Sequence, residues 1–239
     1  MFKRNDGRVS LELRPLTIQM GYLKYPEGSC LIEAGNTRIV CTATVESKVP
    51  HWLKEINQGW VTAEYGMLPG STHERVMRPT LRSPGRTHEL QRMIGRTLRA
   101  SIDLVALGQR TILIDCDVLQ ADGSTRTLSV TGAFCALYMA TRSLLTKNFV
   151  TRDPIANMVA GTSLGLVDGE VLLDLTYEED ARAEVDMNIF MNEKLELVEI
   201  QGTAEGSAFP KKILDEMVNA ATKAISEITE IQKSVLKIE

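Results

Sequence analysis

Hydrophobic and polar positions alternate most cleanly over residues 111–119, TILIDCDVL. Ile112, Ile114, Cys116 and Val118 fall on one face, with Asp115 and Asp117 on the other. That is the period-two signature of a strand. Past residue 127 the period changes. TLSVTGAFCALYMATRSLL contains no Pro, keeps its one Gly near the start and repeats apolar residues at helical spacing. Shorter alternating runs predict strands near residues 14–20, 29–34 and 38–45, broken by the turn signals EGS and GNT, and again near 158–167, 171–175, 183–191 and 195–201. A helix is predicted over 87–105, where Leu90, Ile94, Leu98 and Ile102 recur every four residues and Arg92, Arg96 and Arg99 lie off that stripe.

The last predicted helix covers 211–236. Its apolar residues, Leu214, Met217, Ala221, Ala224, Ile228, Ile231 and Val235, alternate steps of three and four. Packing of this helix on a sheet is favoured over a coiled coil. Residues 68–85 hold Pro and Gly without sustained periodicity and read as a long loop, a kind of segment that usually carries function. Strands and helices mix without regular βα alternation, so the fold class is α+β rather than a doubly wound sheet. A strand block, helix, strand, helix order recurs faintly in both halves.

At 239 residues the chain can bury one large core or two small ones. No run approaches the roughly 18 consecutive apolar residues of a membrane span, and the first ten residues, MFKRNDGRVS, lack the apolar stretch of a secretory leader. No membrane association and a cytoplasmic location are therefore expected. Cys30, Cys41, Cys116 and Cys135 form no C-x-x-C and share no ligand spacing with the three histidines. Buried free thiols are expected.

The formal net charge of −4 argues weakly against nucleic acid, but its distribution reverses the argument. Seven arginines (Arg75, Arg78, Arg82, Arg86, Arg92, Arg96, Arg99) face one acid, Glu89, between residues 75 and 99. Between 177 and 199 eight acids face Arg182 and Lys194. A dense arginine block in an acidic chain marks an anion-binding face, with some of its members expected in helix-surface or subunit contacts. Arginine rather than lysine favours forked contacts to phosphate or carboxylate.

Two segments carry candidate chemistry. QADGSTRT (120–127) links the 111–119 strand to the helix that follows, so Ser124, Thr125 and Arg126 sit at a helix mouth. Free backbone N–H groups, two hydroxyls and a guanidinium make that mouth an anion site, or else a capped helix start with a surface arginine. No Walker or dinucleotide glycine motif is present. In LDLTYEEDARAEVDMNIF, Asp180 and Asp186 lie six apart. They share a face if the strand is continuous, or converge if the chain bends near Ala181. A carboxylate among Val185, Met187, Ile189 and Met191 needs a cationic partner, and two beside a phosphate pocket suit Mg²⁺. Glu178, Glu179 and Glu184 read as solvated.

Taken together, NDGR, LRP, PEGS, QGWVTAEYGMLP, GRT with ELQRMIGRTLRA, CDVLQADGSTRT with SVTGAF, EVDMN and QGTAEG span nearly the whole chain. They resemble the ribonuclease PH family of phosphate-dependent 3′-to-5′ exoribonucleases, and shorter versions of some occur in polynucleotide phosphorylase and exosome ring subunits. The resemblance implies a single α+β domain over residues 1–239 with a left-handed βαβ crossover, and assembly as a homohexameric ring, a trimer of dimers. It implies that Arg86, Ser124, Thr125 and Arg126 bind phosphate and that Asp180 and Asp186 bind Mg²⁺ or Mn²⁺. Asp180, Asp186 and Arg126 then support catalysis, while Arg75 and Arg78 guide RNA and help build the ring. Implied substrates are tRNA precursors, ribosomal RNA and other 3′ single-stranded ends, with inorganic phosphate as co-substrate and nucleoside 5′-diphosphates as products.

Two positions depart from the family pattern. Ser124 stands where a glycine is usual, which matters if that residue needs a positive φ. Gly70 stands where a relative has arginine, removing one cation of the RNA-guiding set. The competing readings are a catalytically silent RNA-binding ring subunit and a metal-dependent hydrolytic nuclease that releases monophosphates.

Overall fold

The computed structural model describes residues 4–78 and 85–238. Arg82 and part of the 68–85 loop lie outside the described residues. The described residues form nine strands and five α-helices: β1 (Leu16–Met20), β2 (Gly28–Ala34), β3 (Thr37–Glu46), β4 (Trp60–Met67), α1 (Gly85–Arg99), α2 (Leu104–Leu107), β5 (Thr111–Gln120), α3 (Thr125–Thr146), β6 (Val159–Val167), β7 (Glu170–Leu173), α4 (Tyr177–Asp180), β8 (Val185–Asn192), β9 (Leu197–Ala204) and α5 (Lys211–Leu236). The α+β class stands.

The first sheet has the order β1-β2-β3-β5-β4 and the second β7-β6-β8-β9. All pairings are antiparallel except β4 with β5, whose crossover runs through α1 and α2. β4 has no counterpart among the predicted strands, although Val61, Ala63 and Tyr65 point inward in strict alternation. The predicted helix 87–105 ends at Arg99 instead. There the Ser101 hydroxyl donates to Leu98 O at 2.7 Å, and the Asp103 carboxylate accepts from Val105 N and Ala106 N to start α2. Short polar side chains compete for backbone groups in this way and break the helix. Ile102 keeps its inward place through a bridge to Ile155.

α3 is central. It packs on β2, β3 and β5 of one sheet and on β6 and β8 of the other, which explains why it is apolar all round rather than amphipathic. Among the described residues it is the one helix long and apolar enough to cross a membrane, yet 72% of that apolar window is buried inside the protein. Gly132 permits its close approach: a Cβ there would meet Ile32 Cγ2 at 2.8 Å and Cys41 Sγ at 2.9 Å. All four cysteines are free and buried, as expected, with Cys30, Cys41 and Cys116 aligned across β2, β3 and β5. α5 lays Met217, Ala221, Ala224, Ile225 and Ile228 against the second sheet, so it is a sheet-packed helix.

The N-terminal segment is tied to the second half by charge. Arg4, 1% exposed, forks onto Glu179 with two bonds of 2.7 Å and donates to Leu173 O and Asp174 O. Arg14 forks onto Asp174 at 2.9 and 2.6 Å. Glu179 is therefore a buried ion-pair partner, contrary to the solvated role expected for it. Burial alone would raise the Asp174 and Glu179 carboxyls, but bonds from Arg14 and Arg4 hold both below the ordinary carboxylate range.

Depressed folded-state values give a stability term that is full above the unfolded values, about 4 for such groups, and that fades as pH falls through the folded ones. The protein should therefore lose stability below about pH 4. Asp174→Ala, which leaves Arg14 buried and unpaired, should cost about 3–5 kcal/mol at neutral pH and flatten that acid limb. Urea unfolding from pH 3 to 8 measures both.

Candidate active site

The 111–119 strand and the helix at 125 meet as expected, and the loop between them is shaped by two positive-φ residues, Gly123 (φ 76°) and Ser124 (φ 54°). A Cβ on Gly123 would lie 2.1 Å from Leu175 O, so the loop backbone rests directly on the segment that leads into α4. Ser124 does occupy the left-handed region, which disfavours a non-glycine residue by roughly 1–2 kcal/mol. Its side chain offsets that cost with a 2.8 Å bond to Asp174 Oδ1 and a 2.8 Å contact with Ser163 Oγ. The hydroxyl expected to bind an anion is thus engaged behind the loop, and Ser124 is left to offer its backbone N–H.

At the mouth of α3 the first-turn N–H groups have no intrahelical acceptor. Thr125 Oγ1 accepts a 3.2 Å bond from the Tyr65 hydroxyl, which reaches it from β4. Burial pushes the Tyr65 hydroxyl above its ordinary value, while Arg86 and Arg126 act on it in the opposite sense. Arg126 reaches Asp186 Oδ2 with Nη1 at only 3.5 Å, and its Nε is buried with no partner among the described residues. A buried guanidinium N–H without an acceptor is uncommon and is a point at which an anion would bind.

Asp180 and Asp186 do not share a continuous strand. Asp180 ends α4, a single turn fixed by a capping box between Thr176 and Glu179, and Asp186 lies near the start of β8. The chain bends between them and the carboxylates converge. Burial and then the Asp180 charge raise Asp186 to about 6, against the lowering effect of Arg126 and Arg86. Asp180 is solvent-accessible but recessed, and its crowding by protein likewise raises it, with Arg126 and Arg86 opposing and Glu205 adding. Two carboxylates so disfavoured as anions fit a cation. Among the described residues no group of three His, Cys, Asp or Glu could hold a metal ion. A Mg²⁺ held by two carboxylates, waters and phosphate oxygens does not need a third.

Arg86, exposed at the second position of α1, is close enough for its charge to act on Tyr65, Asp180 and Asp186. Arg75 and Arg78 are exposed on the loop after β4 and, among the described residues, make no ion pair; they do not join the cluster. Arg96 instead pairs with Glu199 of β9, and Arg99 donates to Val61 O and stacks 4.2 Å over the Trp60 ring. Those two arginines serve the fold. Tyr65 and Glu205 were not singled out as chemical residues. A tyrosine at an inward strand position was the available signal for the first, since its hydroxyl must find a partner. Nothing local marked Glu205.

Because Ser124 needs a positive φ, Ser124→Val should raise the dissociation constant for inorganic phosphate at least tenfold in a folded protein. Ser124→Gly, which adopts that conformation freely but gives up the bond to Asp174, should raise it by less than Ser124→Val does. Isothermal calorimetry separates the two.

Models of the 3′ exoribonuclease family match the chain in two parts, domain 1 over residues 12–143 and domain 2 over residues 157–224. A ribonuclease PH from Corynebacterium kroppenstedtii is 52% identical over 237 residues, covering 98% of this chain and 93% of its own. One from Moorella thermoacetica is 51% identical over 235 residues, covering 98% and 94%. The fold is similar to a chain of the Archaeoglobus fulgidus exosome solved with RNA bound to the active site, with a TM-score of 0.83, 20% identity and coverage of 95% and 92%. It is also similar to rice Rrp46, with a TM-score of 0.79, 17% identity and coverage of 98% and 100%. On the extent of these matches, the chain belongs to the ribonuclease PH family of 3′ exoribonucleases.

Proposed function

We propose that this protein trims RNA 3′ ends by phosphorolysis at the junction of α3, α4 and β8. Membership of the ribonuclease PH family makes it a phosphate-dependent 3′-to-5′ nucleotidyltransferase. The observation that carries the local reading is the buried Nε of Arg126, which has no partner among the described residues, on a guanidinium whose Nη1 reaches Asp186. Inorganic phosphate seats there on Arg126, Arg86 and the first-turn N–H groups of α3, with Thr125 steadied by Tyr65.

A phosphate oxygen attacks the terminal phosphodiester in line with O3′. The P–O3′ bond breaks, a nucleoside 5′-diphosphate leaves, and the hydrogen of HPO₄²⁻ ends on O3′ of the shortened RNA. Arg126 and Arg86 neutralise the equatorial oxygens, so most of the rate comes from positioning and electrostatics. Asp180 and Asp186 are the residues that would hold Mg²⁺ or Mn²⁺, which when bound supplies further charge neutralisation. The substrates are tRNA precursors and other RNAs with single-stranded 3′ ends, ribosomal RNA among them. The working assembly is a homohexameric ring in the cytoplasm, with Arg75 and Arg78 guiding RNA.

The test is a tRNA carrying extra 3′ nucleotides, incubated with Mg²⁺ with and without inorganic phosphate. Diphosphates that appear only with phosphate are expected. Monophosphates independent of phosphate would mean a hydrolase, and binding without product a silent subunit. Arg126→Ala and Asp186→Ala should each lower phosphorolysis at least a hundredfold in folded protein.

Gly70 offers a second check, because a Cβ there meets nothing within 4 Å. Gly70→Arg should fold normally and tighten RNA binding, with the slope of log affinity against log salt steeper by roughly 0.7–0.9 per added phosphate contact. An unchanged slope would remove this loop from the RNA path.

A further inference from the structure

The phosphate loop and the aspartate-bearing turn lie 50 or more residues apart in sequence, yet they meet through groups that take no part in the chemistry described above. Ser124 Oγ donates to Asp174 Oδ1 at 2.8 Å. Tyr177 N, at the start of α4, donates to Asp122 Oδ1 in the phosphate loop at 3.2 Å. Gly123 rests on Leu175 without room for a methyl group. Behind this contact stand the buried forks of Arg14 on Asp174 and Arg4 on Glu179, whose next residue is Asp180. Asp174 itself is held at a positive φ of 52°, a conformation a non-glycine residue keeps only where its surroundings enforce it.

We propose that Asp174 and Glu179, clamped by Arg14 and Arg4 of the N-terminal segment, are positioning residues that set the distance between the phosphate site and the aspartate pair. Each acts on a different half. Asp174 holds Ser124 and through it the anion-binding loop, whereas Glu179 caps α4 and fixes where Asp180 stands. Both are screened from the mouth of the site, so neither touches substrate. The clamp also makes the segment from Arg4 to Arg14 part of the working site, although none of its residues carries chemistry. Forked guanidinium–carboxylate contacts, unlike apolar ones, fix orientation as well as proximity.

This assignment rests on the phosphorolytic reading, and the experiment separates their failures. Asp174→Asn and Glu179→Gln are compared with the wild type and with Asp215→Asn, which loses a surface charge on α5. All are assayed at a temperature where circular dichroism shows every variant fully folded. Asp174→Asn should raise the KM and the calorimetric dissociation constant for inorganic phosphate at least tenfold with kcat within threefold. Glu179→Gln should lower kcat at least thirtyfold with phosphate affinity within threefold, and Asp215→Asn should match wild type. Arg14→Lys, which keeps the charge but not the fork, should fall between Asp174→Asn and wild type in phosphate affinity.

Wild-type kcat and KM in folded Asp174→Asn and Glu179→Gln would overturn the proposal. So would an equal loss of kcat and affinity in both variants, the mark of a merely structural role. If the wild type releases no diphosphate, the phosphorolytic reading fails, and the positioning claim is then decided by the calorimetric affinity of Asp174→Asn. A wild type that binds no phosphate overturns both.

Discussion

Asp174 joins the parts of this molecule that must stay in register. Its carboxylate takes the fork of Arg14 from the N-terminal segment and the hydroxyl of Ser124 from the phosphate loop. Its backbone carbonyl takes Arg4 and Arg8. A carboxylate this buried is tolerated only when nearly every lone pair is satisfied by charged or strong donors. That requirement links the end of β7 to the loop before α3 and to the segment from Arg4 to Arg14. The strained backbone at Ser124 and at Asp174 follows from it, because each is held in place by the partner it meets there.

The second constraint is repulsion. Asp180 and Asp186 are brought together where desolvation by neighbouring protein already disfavours their charged forms, and Glu205 adds to the effect. Arg126 and Arg86 counter it only in part, and Arg126 reaches its neighbour at a loose 3.5 Å. The contrast with the N-terminal clamp is instructive. There the arginines are forked, short and fully engaged, and they build. At the mouth of α3 the guanidinium keeps a buried donor in reserve and the carboxylates stay under-compensated, which is what the proposed phosphate on one side and cation on the other would require.

Much of this was legible from residue pattern. The 111–119 strand, the helix after 125 and the 211–236 helix stand nearly as their periodicity predicts, because long periodic segments leave few alternatives. β4 was equally regular over Val61, Ala63 and Tyr65 and, at eight residues, as long as β8, yet it went unassigned. The predicted helix over 87–105 overran because Ile102 fits the stripe, while Ser101 and Asp103 take the backbone bonds that continuation would need. At the site, Arg126, Thr125 and the aspartates were found from motif and charge. The glutamate beside them was misjudged as solvated, since its partner Arg4 lies 175 positions away and no local pattern encodes such a pairing. The inward turn of the Ser124 hydroxyl was hidden for the same reason: it depends on Asp174, just past the end of β7 and 50 positions away.

Inorganic phosphate is proposed to seat at the N-terminus of α3 between Arg126 and the aspartate pair. A crystal structure of the protein grown with inorganic phosphate tests it most directly. The anion is predicted within hydrogen-bond distance of Arg126 Nε and the first-turn N–H groups, with Ser124 Oγ still bonded to Asp174. An Arg126 side chain closed onto Asp186 in a tight fork, with no anion at the helix mouth, would contradict it.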